Sequence, residues 1–442
     1  MLRLALPLAL TELSWMAMGL VDTMMVGRLP YSAVAIGAVS LGTTIFYTIG
    51  IFGSSIMLGL DTMVSHSYGA GRLQECHRSF LNALYLALML APALMALIWA
   101  GLPCLNHFGI DPQLLKQTLP FIRALNWSTL PLILYFACRR YLQSIAVVGP
   151  VVFAGISANL VNVAGNWALV YGHLRLPALG VSGSGWSTFV SRVYMVTVLA
   201  IAAVYYDRKR ASGLWSASRR LDLSRIRELL RLGLPAAAQF LLEISAFTVV
   251  TVLIARLGAL PLAGHQIALN VASLTFIVTL GIASAAAVRV GHAVGANNWH
   301  GAARAGWMAL LFAAAFMSCA TLVLFAFPYA IARVYSPQPA VIRMGATLLR
   351  IAAVFQLFDG LQSVATGALR GAGKTRAPML IHLLGYWMVG LPLGTLFGFG
   401  FGLGAVGFWA GLCIALILIG SSLLAVWRHL VSTMTHSALV SY

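Results

Sequence analysis

The sequence predicts an all-α polytopic membrane protein, with twelve transmembrane helices in two six-helix bundles related by a parallel pseudo-twofold repeat. Three observations predict it. Of 442 residues, 60% are hydrophobic and only 9% charged, with a mean hydropathy of +0.91. A soluble domain carries about 25% charged residues, so this chain is too poor in charge to cover its own surface in water. Apolar runs long enough to cross a bilayer as a helix, at about 20 residues, recur from end to end, as at 84–103, 186–206, 305–332 and 403–427. Finally, the first half of the chain returns in the second at an offset of 226 to 228 residues.

The spans are expected near 2–27, 33–60, 80–103, 115–138, 148–171 and 184–206, then 229–256, 262–289, 303–330, 340–369, 377–400 and 403–427. Arg3 ahead of the first run imitates a signal peptide. That run is too long, however, contains Glu12 and Asp22, and has no clean A-x-A site, so it reads as a transmembrane helix. Between the sixth and seventh spans lies the most polar stretch, "YYDRKRASGLWSASRRLDLSRIRE" at 205–228. The organisation read from this pattern is an N-terminal bundle at 1–206, a basic cytoplasmic linker at 207–228, a C-terminal bundle at 229–428 and a cytoplasmic tail at 429–442. With both termini inside, the inner segments hold about 19 of the 28 Lys and Arg and the outer ones about 8. The net charge of +18 is therefore a topology signal rather than a nucleic-acid footprint, with attraction to anionic lipid as a secondary effect. Cysteines 76, 104, 138, 319 and 413 lie mostly in spans, at spacings that suggest neither zinc nor a disulfide framework, and read as small buried hydrophobes.

The repeat is explicit in the residues. "LRLALP" at 2–7 returns as "LRLGLP" at 230–235, "GRL" at 27–29 as "ARL" at 255–257, and "HSYGAGRLQECHRS" at 66–79 as "HAVGANNWHGAARA" at 292–305. Arg123 answers Arg350. Six spans per half is an even number, so both halves insert the same way up and the repeat axis follows the membrane normal. Pro7 and Pro235 are matched within it, inside helices, where each removes a backbone hydrogen bond and permits a kink, making them hinge candidates. His66, Gly69, Ala70 and Gly71, with His292, Gly295 and Ala296, read as turn residues at helix ends.

Ten acids are present, and four sit well inside spans: Glu12, Asp22, Glu243 and Asp359. Each costs up to about 3 kcal/mol at a helix centre, so an intramembrane acid is a functional hypothesis by default. Asp61, followed by Thr62 near the inner end of the second span, reads as a residue packing the helix against a loop. Asn159, Asn162 and Asn166 follow i, i+3, i+7 spacing, which places three amides on one helical face.

Several of these stretches resemble the multidrug and toxic compound extrusion (MATE) family: "GLVDTMMVGRL" in the first helix, "LDTMVSHSYGAGR" in the second, "NVAGNW" in the fifth, "LGLPAAAQFLLE" in the seventh, "AGHQIALN" with "RVGHAVGA" in the eighth, and "FDGLQSVATGALRGAGKTRAP" in the tenth. The resemblance runs along the whole chain in family order. It implies two six-helix bundles around a central cleft in the inner or plasma membrane, and a monomer exporting organic, often cationic, compounds against an inward flow of protons or sodium ions. It implies no enzyme activity, no resident metal and no cofactor. Asp22, Asn162 and Asn166 match the family's N-terminal-half cation site, where a carboxylate facing amides can hold a proton or share a dehydrated cation. Glu243 and Asp359 match its C-terminal-half site and are the place for a transient sodium ion. Phe355, one turn before Asp359, stands where sodium-coupled members can carry a tyrosine, and so lacks one sodium ligand. Aromatic and Met residues of cleft-facing helices (Trp15, Met18, Phe240, Phe247, Phe276 and Phe355) are the substrate candidates, since sulfur and aromatic faces suit varied organic cations.

Other readings are weaker. A lipid-linked glycan flippase of related fold would have more spans and a basic cleft, whereas the embedded charges here are acidic. An intramembrane aspartyl protease using Asp22 and Asp359 would need a GxGD helix, and "GLGA" at 402–405 lacks the aspartate. "GAGKT" at 371–375 lacks the first glycine of a P-loop, and "NWS" at 126–128 falls within a span.

Overall fold

The computed structural model describes residues 2–107, 109–210 and 213–440, all of them helical, turn or loop. Residues 211 and 212 of the expected linker and residues 441 and 442 of the expected tail lie outside the described residues. The first half of the chain forms α1 (Leu2–Val26), α2 (Ser32–Ile56), α3 (Gly59–Gly69), α4 (Leu73–Gly101), α5 (Pro112–Trp127), α6 (Thr129–Ser144), α7 (Gly149–Tyr171) and α8 (Val181–Arg210). The second forms α9 (Leu223–Ala255), α10 (Ala259–Gly295), α11 (Trp299–Ala326), α12 (Pro328–Tyr335), α13 (Pro339–Gly371), α14 (Arg376–His382), α15 (Leu391–Thr395) and α16 (Gly404–Val440). Wider π-type turns at Leu383–Gly390 and Leu396–Gly400 join α14 and α15 into one span.

Among the described residues, eleven helical segments are long and apolar enough to cross a membrane, and α5 with α6, bent by 42° at their junction, supplies a twelfth crossing. The expected count of twelve holds. The spans run further than their apolar cores: α6 continues to Ser144 rather than ending near residue 138, so Arg139 and Arg140 lie buried in a helix instead of in an inner loop. Large apolar side chains such as Leu6, Leu160 and Leu311 stay more than 60% exposed, the outward apolar face expected where lipid is the solvent.

The repeat is visible in the backbone. Gly71 and Asn297 both take the left-handed conformation, φ +71° and +54°, just past the ends of α3 and α10. In each case a six-to-one hydrogen bond closes the helix, from Arg72 N to Ser67 O (2.9 Å) and from Asn298 N to Ala293 O (2.8 Å). The same device follows α6 and α13, with Ala146 and Gly373 left-handed and Val147 and Lys374 donating to Leu142 and Leu369. The expected turn glycines thus reduce to one left-handed residue per loop, and Asn297 takes that role in the second half because its side chain tolerates positive φ.

The helices gather into two compact units, one comprising Leu10–Ala237 and the other Met1–Ala9 with Ala238–Tyr442. The divisions fall within α1 and α9, two residues after Pro7 and Pro235. Three of the five cysteines, Cys76, Cys138 and Cys413, are buried as expected, whereas Cys104 and Cys319 are exposed.

Two buried acid clusters as the candidate functional site

In the unit Leu10–Ala237, Asp22 on α1 is 7% exposed and meets α7 and α8. One carboxylate oxygen, Oδ1, accepts from Asn162 Nδ2 at 3.0 Å and from Asn166 Nδ2 at 2.8 Å. The other, Oδ2, accepts from Thr188 Oγ1 at 2.8 Å. Glycine makes this approach of α7 to α8 available: a Cβ on Gly165 would stand 2.5 Å from the Ser187 hydroxyl. Ser187 in turn donates to the Asn162 carbonyl at 2.8 Å, locking the helix pair in register. Asn159 shares the helical face but not the site. It lies nearer the start of α7 and donates to the Ser14 and Gly155 carbonyls, clamping α7 to α1.

The second unit holds the other cluster. Glu243 on α9 and Asp359 on α13 are both buried, and the Nε2 amide of Gln362 donates to both, at 3.0 Å to Glu243 Oε1 and 3.3 Å to Asp359 Oδ1. Gln239, one turn before Glu243, donates to its Oε2 at 3.2 Å, and the Tyr386 hydroxyl reaches Oε1 at 3.5 Å. His382 at the end of α14 donates from Nδ1 to the Pro378 carbonyl, which directs Nε2 to 2.7 Å from Gln362 Oε1 and 4.0 Å from Glu243 Oε2. Helix α13 comes close enough to α10 to be placed by it because Gly367 and Gly371 face the Ala283 and Ala287 carbonyls; a Cβ there would stand 2.3 and 2.4 Å from those oxygens. Carboxylate and hydroxyl oxygens of this kind suit a hard cation. Among the described residues no three His, Cys, Asp or Glu groups converge as a resident metal site would require.

The remaining embedded acids are ion-paired. Glu12 binds Arg139, and Asp61 binds Arg140 at 3.4 Å. Asp61 is therefore anchored to α6 rather than packed against a loop. Trp15 stacks on Tyr135, Met18 is buried, and Phe240 and Phe276 are half-buried. Phe247 meets Tyr386 edge-on beside Glu243, and Phe355 is 1% exposed and stacked on Trp409. Thr188, Gln239, Gln362, His382 and Tyr386 escaped the sequence reading, although each is a polar side chain within an expected span.

Twelve crossings in two repeated halves, each half with an acid buried among amides and hydroxyls, give the architecture of a polytopic membrane transporter. The chain belongs to the MatE family. The family model matches residues 7–168 and again residues 235–396, so it too divides the sequence at an offset of 228. The probable multidrug resistance protein NorM of Mesorhizobium japonicum is 36% identical over 433 residues, covering 96% of this chain and 92% of the relative. The multidrug resistance protein NorM of Burkholderia vietnamiensis is 36% identical over 438 residues, covering 98% and 93%. The same fold occurs in the crystal structure of a eukaryotic MATE transporter, with a TM-score of 0.84 at 19% identity over 99% of this chain and 97% of the other. It occurs again in a multidrug resistance MATE family transporter in an outward-facing conformation, with a TM-score of 0.85 at 16% identity over 98% and 96%.

Proposed function

We propose that this protein is a secondary active multidrug efflux antiporter. It exports organic, often cationic, compounds by alternating access in exchange for protons or sodium ions, working as a monomer in the bacterial inner membrane with both termini cytoplasmic. The observation that carries this reading is the pair of buried acid clusters, Asp22 with Asn162, Asn166 and Thr188, and Glu243 with Asp359 and Gln362, neither of which holds an arginine or lysine within ion-pair distance among the described residues. An intramembrane carboxylate without a bonded arginine or lysine is costly and is suited to receive a mobile cation, either the coupling ion or a cationic substrate. The relatives' names, multidrug resistance protein, support the substrate class. Pro7 and Pro235, next to the divisions between the compact units, support bending of α1 and α9 as part of the cycle.

The substrate class is tested by reconstituting the protein and comparing efflux of a fluorescent organic cation with translocation of a lipid-linked sugar. The reading expects dye efflux and no sugar translocation; sugar translocation without dye efflux would replace it with a flippase.

A further inference from the structure

The buried charges of the unit Leu10–Ala237 divide unevenly. Away from their ends, its membrane-spanning helices hold three acids, Glu12, Asp22 and Asp61, and three buried arginines, Arg139, Arg140 and Arg192, while a further buried acid, Asp207 at the end of α8, lies 3.9 Å from His77. Two bonded pairs, Glu12 with Arg139 and Asp61 with Arg140, account for four of these charges. Asp22 and Arg192 remain, and among the described residues neither has an ionic partner within 4.0 Å. Arg192, 1% exposed on α8, donates to the Ser128 hydroxyl at the bend between α5 and α6 and to Tyr47 at 3.2 Å. Its guanidinium lies over Phe46, Trp15 and Tyr47, at 4.9, 5.5 and 5.7 Å from the ring centroids, and its Nε–H has no acceptor among the described residues. Neutral hydroxyls and rings do not cancel a full charge withdrawn from water.

Two helices place this arginine relative to Asp22. On α8, Arg192 follows by one turn the Thr188 that bonds Asp22. On α1, the Trp15 beneath the guanidinium precedes Asp22 by two turns, roughly 10 Å along the axis. We propose that Arg192 is a fixed counter-cation of Asp22. It offsets part of the carboxylate's field, so that any cation arriving there, inorganic or organic, is held weakly enough to be released. Glu243 instead has the titratable His382 4.0 Å from its Oε2. The proposal rests on the reading of Asp22 as a cation-exchange site. At roughly 10 Å and an effective dielectric constant near 20, removing the arginine's charge strengthens cation binding at Asp22 by about tenfold.

The test is equilibrium binding of ethidium, a fluorescent organic cation, to the full-length protein in lipid nanodiscs with no gradient imposed, which separates it from any failure of transport coupling. Arg192→Gln should tighten binding by about tenfold, and Arg192→Lys, which keeps the charge, should stay near the parent. Asp22→Asn should weaken binding, and in the Asp22→Asn background Arg192→Gln should have no further effect. Parent-like ethidium affinity in Arg192→Gln, while Asp22→Asn weakens it, overturns this proposal alone. Binding indifferent to Asp22→Asn overturns the exchange-site reading and the proposal with it. If Arg192→Gln does not fold, unfolding midpoints decide: the double variant Asp22→Asn/Arg192→Gln should unfold above Asp22→Asn, in which the arginine is left without a countercharge, and a lower midpoint contradicts the pairing.

Discussion

Glu243 and Asp359 should behave as one cation-binding unit rather than two independent acids. A single amide nitrogen, Gln362 Nε2, bonds an oxygen of each, at 3.0 and 3.3 Å, so those oxygens lie at most about 6 Å apart. At an effective dielectric constant near 20, two unit charges at that distance interact by about 3 kcal/mol. When both carboxylates are ionised, this is the repulsion that a bound monovalent cation relieves. Replacing Asp359 with asparagine keeps the shape, leaves Glu243 its donors, and removes one of the two attractions on the cation. The half-saturating concentration of the driving cation should then rise by about a hundredfold. Glu243→Gln should do the same, and the double variant, which leaves the cation no carboxylate here, should lose more than either single. The assay is the initial rate of efflux of a fluorescent organic cation from proteoliposomes against the concentration of driving cation, with the amount of correctly inserted protein measured in each preparation. Unshifted half-saturation in either single variant, or parental efflux in the double, would refute the reasoning and leave the two acids with a structural role.

Asp22→Asn should flatten the competition between organic and driving cation, since linkage requires each to lower the other's affinity by the same factor; a variant that still shows parental competition in binding titrations would move the exchange site elsewhere. Arg139→Gln breaks a buried ion pair with Glu12 and should cost about 3–5 kcal/mol; thermal unfolding should show this loss, with Glu12→Gln/Arg139→Gln recovering much of it, and a further drop in the double would contradict the pairing. Gly367→Ala drives a Cβ to 2.3 Å from the Ala283 carbonyl and should destabilise by about 1–3 kcal/mol, whereas Gly101→Ala, with nothing within 4 Å of the new atom, should not destabilise; equal unfolding midpoints for the two would deny the close α10–α13 contact.

How much of this was legible in the sequence follows from the range of each interaction. The crossings and the repeat were legible because hydropathy and local similarity are read along the chain, and the repeated turns at Gly71 and Asn297 confirm the offset residue by residue. Asp22 stood out as an acid within a span and the asparagines by their helical spacing, while their meeting was implied by the family resemblance and is seen in the bonds to Asp22. The same spacing was too generous to Asn159, because sharing a helical face does not mean sharing a height along the helix, and Asn159 meets Ser14 instead. Thr188 was missed because its partner is 166 residues away in sequence, as were Gln362 and His382, whose bonds join α9, α13 and α14. Arg139 and Arg140 were misplaced for an energetic reason: hydropathy drops at a pair of arginines and suggests a helix end, but acids on α1 and α3 neutralise both charges and the helix continues. Composition alone could not show that, of the three buried arginines in the unit Leu10–Ala237, Arg139 and Arg140 are ion-paired and Arg192 is not.

The central claim is that cation flow through these acid sites drives export. The most direct measurement loads proteoliposomes with a fluorescent organic cation and imposes a pH gradient or a sodium gradient separately, without nucleotide. The account predicts that one of the two gradients suffices to drive transport and that collapsing both abolishes it. Transport that survives collapse of both gradients and requires ATP would contradict it.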